Sequence, residues 1–241
     1  MKRNLEPYDN IVEVVGWTPL VRLKRIGRGV RTPIYGKAEN LNPGGSVKDR
    51  IGLAIIEGAE RRGELKAGGV VVEATSGNTG IGLAIAAAIK GYRCIFTIPD
   101  KMSSEKIRLL RAFGAEVIVV PTAVPNDHPE YYLNKARAIV EATPGAIMAD
   151  QHFNPANPEA HYRTTGPEIW EQTGGTITHF VCSPGTGGTV SGVGRYLKEK
   201  NPKVKVIAGD PVGSIYKEYA RTHKKGEGFP YKVDLCWNAP N

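Results

Sequence analysis

A lysine in a turn, a hydroxyl-rich loop and a glycine loop are the parts of this chain whose residue types and spacing suit chemistry. Asn42-Pro43-Gly44-Gly45-Ser46-Val47-Lys48-Asp49-Arg50 is a turn that passes into a helix. Beyond it, Ile51, Ala54, Ile55 and Ala59 recur at i, i+3, i+4 and i+8, which is one helical face. Ser46 is the expected N-cap, with Asp49 three residues on as an acidic form of the capping box. Lys48 then stands in the first helical turn, where the positive end of the macrodipole disfavours an ammonium. That suits an amine that must react neutral, as Schiff-base lysines do. The alternative is a solvated lysine on an exposed turn.

Thr75-Ser76-Gly77-Asn78-Thr79-Gly80 packs hydroxyls, an amide and two glycines between a strand and a helix. Such a junction can hold a carboxylate through backbone N–H groups and hydroxyls at a helix N-terminus. Alternatively, Ser76 or Thr79 simply caps the next helix. Gly185-Thr186-Gly187-Gly188-Thr189 also joins a strand to a helix, and there the N–H groups and the dipole suit an anion. The loop fails the dinucleotide fingerprint, because Val190 occupies the third glycine position, and it lacks the lysine of a nucleoside-triphosphate loop. A cradle for one phosphate and a tight turn both remain open.

The elements that must position these stretches alternate. Val70–Glu73 reads as a buried strand, Leu83–Ile89 as an alanine-rich helix, Arg93–Ile98 as a strand, and Ser104–Phe113 as a helix closed by Gly114. Glu116–Val120 is a strand ended by Pro121, and Pro129–Glu141 a helix. A helical stretch from Asn157 to Gln172 is interrupted near Gly166-Pro167. His179–Cys182 is a strand, Thr189–Lys200 a helix and Val204–Ala208 a strand. This alternation predicts an α/β fold with mostly parallel sheet and helices on both faces. Ligands bind beyond the carboxyl ends of such strands, where the Thr75 and Gly185 loops both fall.

Composition narrows the class. A length of 241 residues suits one large or two modest domains, and 41% hydrophobic with 23% charged residues is ordinary for a globular protein. No run approaches the roughly 18 apolar residues of a membrane span, and the amino end lacks the apolar core of a signal peptide, so the expected compartment is the cytoplasm. Cys94, Cys182 and Cys236 show neither a metal pattern nor a disulfide framework. The net charge is +8. Its densest run, Arg22, Lys24, Arg25, Arg28 and Arg31, has no interleaved aromatics, and His223, Lys224 and Lys225 form a smaller cluster. Both read as solvated faces, so no nucleic-acid partner is expected.

Taken together, the three stretches resemble the β-family of pyridoxal phosphate enzymes, the group of cysteine synthase and cystathionine β-synthase. Gly16-Trp17-Thr18-Pro19-Leu20, Gln151 followed by Asn154-Pro155-Ala156-Asn157-Pro158, and Asp210-Pro211 match as well, so the resemblance runs from about Ile11 to Val233. It implies pyridoxal 5′-phosphate as cofactor, with Lys48 bonding its aldehyde and Asn78 its phenolic oxygen. Gly185, Thr186, Gly187, Gly188 and Thr189 would hold the 5′-phosphate. Thr75, Ser76, Gly77, Thr79 and Gln151 would hold the substrate carboxylate. It implies fold type II, a two-domain three-layer α/β/α architecture. Residues 40–148 would form the small domain, with 1–39 and 149–241 forming the large one. A homodimer without metal, haem or membrane contact is implied, acting on a small amino acid and a thiol.

Lys101–Lys106 and His161–Thr165 are closer to cystathionine β-synthases than to typical cysteine synthases. The implied reaction is β-replacement on serine or an activated serine, making cystathionine from serine and homocysteine. The alternatives are cysteine formation from O-acetylserine and sulfide, or a family-fold protein that binds cofactor or a partner without turnover. His152 departs from the family, where tyrosine is usual in cystathionine synthases and phenylalanine in many cysteine synthases. Residues 234–241 do not align, and the resemblance implies that the last part of the large domain is missing, with weak cofactor binding or slow turnover expected.

Overall fold

The computed structural model describes residues 7–75, 77–224 and 226–229. Ser76, Lys225, Cys236 and the unaligned 234–241 segment lie outside the described residues. The chain divides into two compact units, Met1–Ala156 and Asn157–Asn241.

The first unit opens with a short antiparallel pair, β1 (Leu20–Arg22) and β2 (Tyr35–Lys37). It continues with α1 (Lys48–Arg61), β3 (Val70–Ala74), α2 (Asn78–Lys90) and β4 (Arg93–Pro99). Then come α3 (Ser104–Ala112), β5 (Glu116–Val120), α4 (Tyr132–Ala142) and β6 (Ala146–Met148). The sheet order is β5-β4-β3-β6, and every pairing in it is parallel. β3, central and apolar but for Glu73, is buried at every position, as a strand covered on both faces must be.

Alternation along the strands sends Val71, Cys94, Phe96 and Val117 to one face, where Ile51, Ile55, Leu83 and Leu110 of α1, α2 and α3 cover them. Val70, Val72, Ala74 and Ile95 point the other way, onto α4 through Ala136. The expected layering is therefore present in this unit. Helix α1 buries Ile51, Gly52, Ile55, Ile56 and Ala59, while Ala54, expected on that face, is only half-buried. Gly52 and Gly82 explain the shift. A Cβ at Gly82 would stand 2.5 Å from the Lys48 carbonyl oxygen, and one at Gly52 would overlap the Gly82 backbone. The two helices thus cross backbone to backbone, offsetting a glycine cost of about 1 kcal/mol each.

The α4 helix starts at Tyr132 rather than Pro129, because Pro129 and Glu130 complete a turn in which Tyr131 N–H donates to the His128 carbonyl.

The second unit begins at the second residue of α5 (Ala156–Ala160) and continues through a π-turn at His161–Thr165 and α6 (Gly166–Gln172). The interruption expected near Gly166-Pro167 is this wider turn. Pro167 has no N–H for the carbonyl four residues back, so the helix unwinds just before it. β7 (His179–Cys182) and β8 (Lys205–Ala208) pair in parallel and flank α7 (Gly188–Lys200); α8 (Tyr216–Thr222) follows. Its core is Ile169, Val193, Leu197 and Val204. Among the described residues no helix is long and apolar enough to cross a membrane, and Cys94 and Cys182 are free thiols.

Candidate active site

In the first unit, the turn that carries Lys48 is held by buried side chains. Arg50, with its side chain 1% exposed, grips the Glu39 carboxylate through Nε at 2.7 Å and Nη2 at 2.9 Å. Thr18 donates its hydroxyl to the same carboxylate at 2.6 Å. Asn42 Nδ2 donates to the Glu39 carbonyl and carboxylate and to the Ser46 carbonyl, each at 3.0 Å, while its Oδ1 accepts Gly16 N–H. Burial pushes the Glu39 carboxyl up, but Arg50, Thr18 and Asn42 outweigh it and hold the group below the usual carboxylate range. The Gly16–Thr18 segment and the turn are thereby one rigid piece.

Lys48 is the first residue of α1, and Ser46 Oγ accepts its N–H at 3.1 Å. The expected capping box is modified. Gly45 adopts a φ of +79°, the chain doubles back, and the Asp49 carboxylate takes the Gly44 N–H instead of that of Ser46. The Lys48 side chain is half-buried, and burial lowers its pKa. His152 is shifted down by burial and then by the nearby Lys48 charge. A helix start and desolvation both favour the neutral amine here.

The Thr75 loop follows the carboxyl end of β3. Thr75 is buried and its Oγ1 accepts Gly77 N–H at 3.3 Å. Gly77 is the N-cap residue of α2 and has no side chain with which to cap it; among the described residues no side-chain cap is seen there. Thr79 is therefore no cap; its hydroxyl goes to Gln151 Oε1 at 2.5 Å. Asn78, first residue of α2, is exposed. Lys48, Thr75, Gly77, Asn78, Thr79 and Gln151 thus all stand in one unit. The Lys48 backbone packs on α2 at Gly82, and Thr79 links α2 to Gln151.

The glycine loop stands in the second unit, between β7 and α7. Gly187 has a φ of +82° and, at the N-cap of α7, brings no side chain to cap it, and a helix start of this kind suits an anion. Asn157 Nδ2 donates to Thr186 Oγ1 at 2.8 Å, and Thr186 Oγ1 also accepts Gly188 N–H at 3.4 Å. Thr189 Oγ1 lies 3.1 Å from Nε2 of the fully buried His161, whose Nδ1 meets Thr165 Oγ1 at 2.9 Å. Tyr216 donates its hydroxyl to the Gly185 carbonyl.

A model of the family described as pyridoxal-phosphate dependent enzymes matches residues 11–234. The chain belongs to that family. It is 50% identical over 208 residues to the cystathionine beta-synthase of Apis mellifera, a match covering 86% of this chain and 41% of that protein. It is 49% identical over 218 residues to cysteine synthase 1 of Emericella nidulans, covering 90% of this chain and 59% of that one. The chain thus spans about two fifths to three fifths of the length of these relatives. Among solved structures it superposes on O-ureido-L-serine synthase with a TM-score of 0.86 at 38% identity, covering 98% of this chain and 71% of that one. A hydrogen sulfide-producing enzyme from Fusobacterium nucleatum gives 0.85 at 37%, covering 96% and 72%. The expected α/β fold of type II with parallel sheet is the fold of these neighbours.

The donor sets fit the family's cofactor. An aldehyde needs an uncharged amine, and Lys48 has its pKa lowered by burial. A phosphate monoester needs N–H and O–H donors without carboxylates, and Gly185–Thr189 with an uncapped thirteen-residue helix supplies them. Among the described residues no cluster suits a metal ion.

The Arg50–Glu39 pair beside Lys48 in the first unit and Asn157 beside the glycine loop in the second lay outside the candidates named from sequence.

Proposed function

We propose that this chain carries out pyridoxal-phosphate-dependent β-replacement, joining serine to homocysteine to give cystathionine. The observation that carries the reading is family membership across residues 11–234 together with Lys48 at a helix start, its pKa lowered by burial. Similarity to a cystathionine beta-synthase at 50% identity supports the choice of reaction.

The cofactor, when bound, supplies the electron sink that lets a proton leave the amino acid's Cα. Lys48 would hold the cofactor through its aldehyde and, as a free amine, would take the Cα proton as general base. Asn78 would bond the phenolic oxygen, and Gly185–Thr189 would hold the 5′-phosphate. Thr75, Gly77, Thr79 and Gln151, with Ser76 by resemblance, hold the substrate carboxylate so that the breaking bond keeps one orientation. The proposal includes the division into a small domain (40–148) and a large one (1–39 with 149–241), a homodimer, a cytoplasmic setting and no nucleic-acid partner.

Borohydride reduction of the cofactor-loaded protein, followed by peptide mapping, is expected to leave the pyridoxyl group on Lys48. A pyridoxyl group on any other lysine overturns the assignment. A second reading, cysteine formation from O-acetylserine and sulfide, is favoured by the 49% identity to a cysteine synthase. His152 beside Lys48, where the family uses a phenol or phenyl ring, leaves the acceptor side open to it. Supplied with equal sulfide and homocysteine, the protein is expected to make cystathionine; predominant cysteine overturns the first reading in favour of the second.

A further inference from the structure

His161 is fully buried at the start of the π-turn, and each of its ring nitrogens meets a threonine hydroxyl. Nδ1 lies 2.9 Å from Oγ1 of Thr165, four residues on, and Nε2 lies 3.1 Å from Oγ1 of Thr189 in α7. Close packing of the turn on α7 sets these distances. A Cβ at Gly192 would overlap the Pro158 carbonyl oxygen and stand 2.7 Å from the His161 Cβ, so α7 comes this near only because Gly192 has none. A Cβ at Gly166 would likewise stand 2.8 Å from the Tyr196 Cβ. A threonine–imidazole–threonine chain can run in either of two directions, because a neutral imidazole donates from one nitrogen and accepts at the other.

Thr165 decides the direction. It is 3% exposed, and among the described residues its hydroxyl meets only His161 Nδ1. Thr164, Thr173 and Thr222 each donate to the carbonyl four residues back, but Thr165 does not. In the widened turn the His161 carbonyl accepts the Gly166 N–H. If Nδ1 carried the ring proton, the Thr165 hydroxyl hydrogen would be buried without an acceptor, at the full cost of its desolvation. The Thr165 hydroxyl therefore donates to Nδ1, and Nε2 carries the proton and donates it to Thr189 Oγ1. Thr189, the half-buried second residue of α7, is thereby filled as an acceptor and keeps its own O–H for donation.

We infer that His161 is a positioning residue for the glycine loop: held by Thr165 with its proton on Nε2, it fixes Thr189 as a hydroxyl donor to an anion bound at Gly185–Thr189. This rests on the proposed role of that loop in holding a phosphate. The reverse direction would turn the Thr189 proton inward onto Nε2 and present a lone pair, which repels an anion. Thr186 is prepared in the same sense. Its Oγ1 accepts from Asn157 Nδ2 at 2.8 Å and from Gly188 N–H at 3.4 Å, so its hydroxyl too is left to donate. Both threonines of the loop thus have their acceptor side filled from within the protein.

The imidazole ¹⁵N spectrum of the full chain, labelled at histidine, reads the proton's place with neither cofactor nor phosphate, and His161→Gln identifies the signal by its loss. Nε2 is expected to carry the proton and Nδ1 to be bare; a proton on Nδ1 overturns the inference. Titration of the cofactor-free protein with pyridoxal 5′-phosphate and with inorganic phosphate reads the consequence. His161→Phe keeps a ring but removes both nitrogens, and is expected to weaken both ligands about fivefold. His161→Gln restores an N–H donor toward Thr189 and is expected to stay within about twofold of the parent. Thr189→Val is expected to weaken both ligands about tenfold, and adding His161→Phe to it to weaken them no further, because the histidine acts only through that hydroxyl. Parent-like phosphate affinity in His161→Phe, a glutamine variant as weak as the phenylalanine one, or losses that multiply in the double variant each overturn the positioning role. His161→Leu takes the place of His161→Phe if the latter does not fold, with the same outcomes. A parent that takes up neither pyridoxal phosphate nor inorganic phosphate overturns the proposed function, while the ¹⁵N spectrum still decides the direction of the chain of hydrogen bonds.

Discussion

The two units prepare their polar groups by opposite means. Around Lys48, side chains far apart in sequence converge: Arg50, Glu39, Thr18 and Asn42 form one buried network. Around Gly185–Thr189, the donors are backbone N–H groups at the start of α7, and side chains such as Asn157 and His161 serve only to set two hydroxyls. A buried ionic network is stable only when every member is paired, because a lone buried charge costs more than the pair gains. A backbone cradle carries no net charge and little to lose. The first unit should therefore fail in stability when a site-supporting residue changes, and the second in affinity.

Arg50→Ala should give the largest effect. It leaves Glu39 buried with only Thr18 and Asn42 as donors. Loss of one partner of a buried pair costs about 3–5 kcal/mol. Because the Glu39 side chain is 18% exposed, about 3 kcal/mol is the expected value here. The pH dependence sharpens the test. In the parent, the folded Glu39 pKa lies below its ordinary value of 4.5, so its contribution is fully present above that value and lost as pH falls through the folded one. In the variant, burial dominates and the folded pKa rises, so ionisation now opposes folding as pH climbs. Thermal or urea unfolding at several pH values should show a gap that is widest near neutrality and narrows below about pH 4. A gap constant with pH would mean that Arg50 acts through packing alone, and that the network is not ionic in effect.

Much of the fold is legible in the sequence. Alternating strand and helix signals, with Gly114 closing α3 and Pro121 closing β5, gave the layers because each signal is local. Lys48 was legible because a cation at a helix start runs against the macrodipole and so stands out. Thr79 was not settled by sequence: capping and ligand-holding both suit a hydroxyl at that place, and its bond to Gln151, 72 residues away, shows only that the hydroxyl is turned away from the cap. Strand β6 was missed for a related reason: a strand of three residues leaves almost no periodic trace. The Ala54 expectation failed because two glycines let α1 roll against α2, and a period count assigns glycine no size. The sequence places the interruption of the 157–172 helix near Gly166-Pro167, and the backbone yields in the turn just before that pair. Sequence thus reports what neighbours in the chain impose and is silent on contacts that the sheet creates.

Gly188→Ala probes the other side of the comparison and should have the smallest effect on stability. Gly188 is the first residue of α7 with helical backbone, so alanine suits its dihedrals and gains up to about 1 kcal/mol in helix propensity. The added Cβ, however, would overlap Oδ1 and Cγ of the buried Asn157. Asn157 must rotate away, and its 2.8 Å bond to Thr186 is then lost. One such hydrogen bond contributes about 0.5–1.5 kcal/mol, which the helix gain largely offsets. Net stability should change by less than about 1 kcal/mol. Affinity has no such compensation. Thr186 Oγ1 also receives the Gly188 N–H, so its displacement loosens the loop where an anion would be held, and each donor misaligned there weakens binding. Titrating cofactor-free protein with pyridoxal phosphate should show affinity weakened about tenfold, and inorganic phosphate should compete less well, while the unfolding midpoint barely moves. A variant that unfolds several degrees earlier yet binds cofactor like the parent would reverse the pattern. The second unit would then depend on buried side-chain contacts just as the first does.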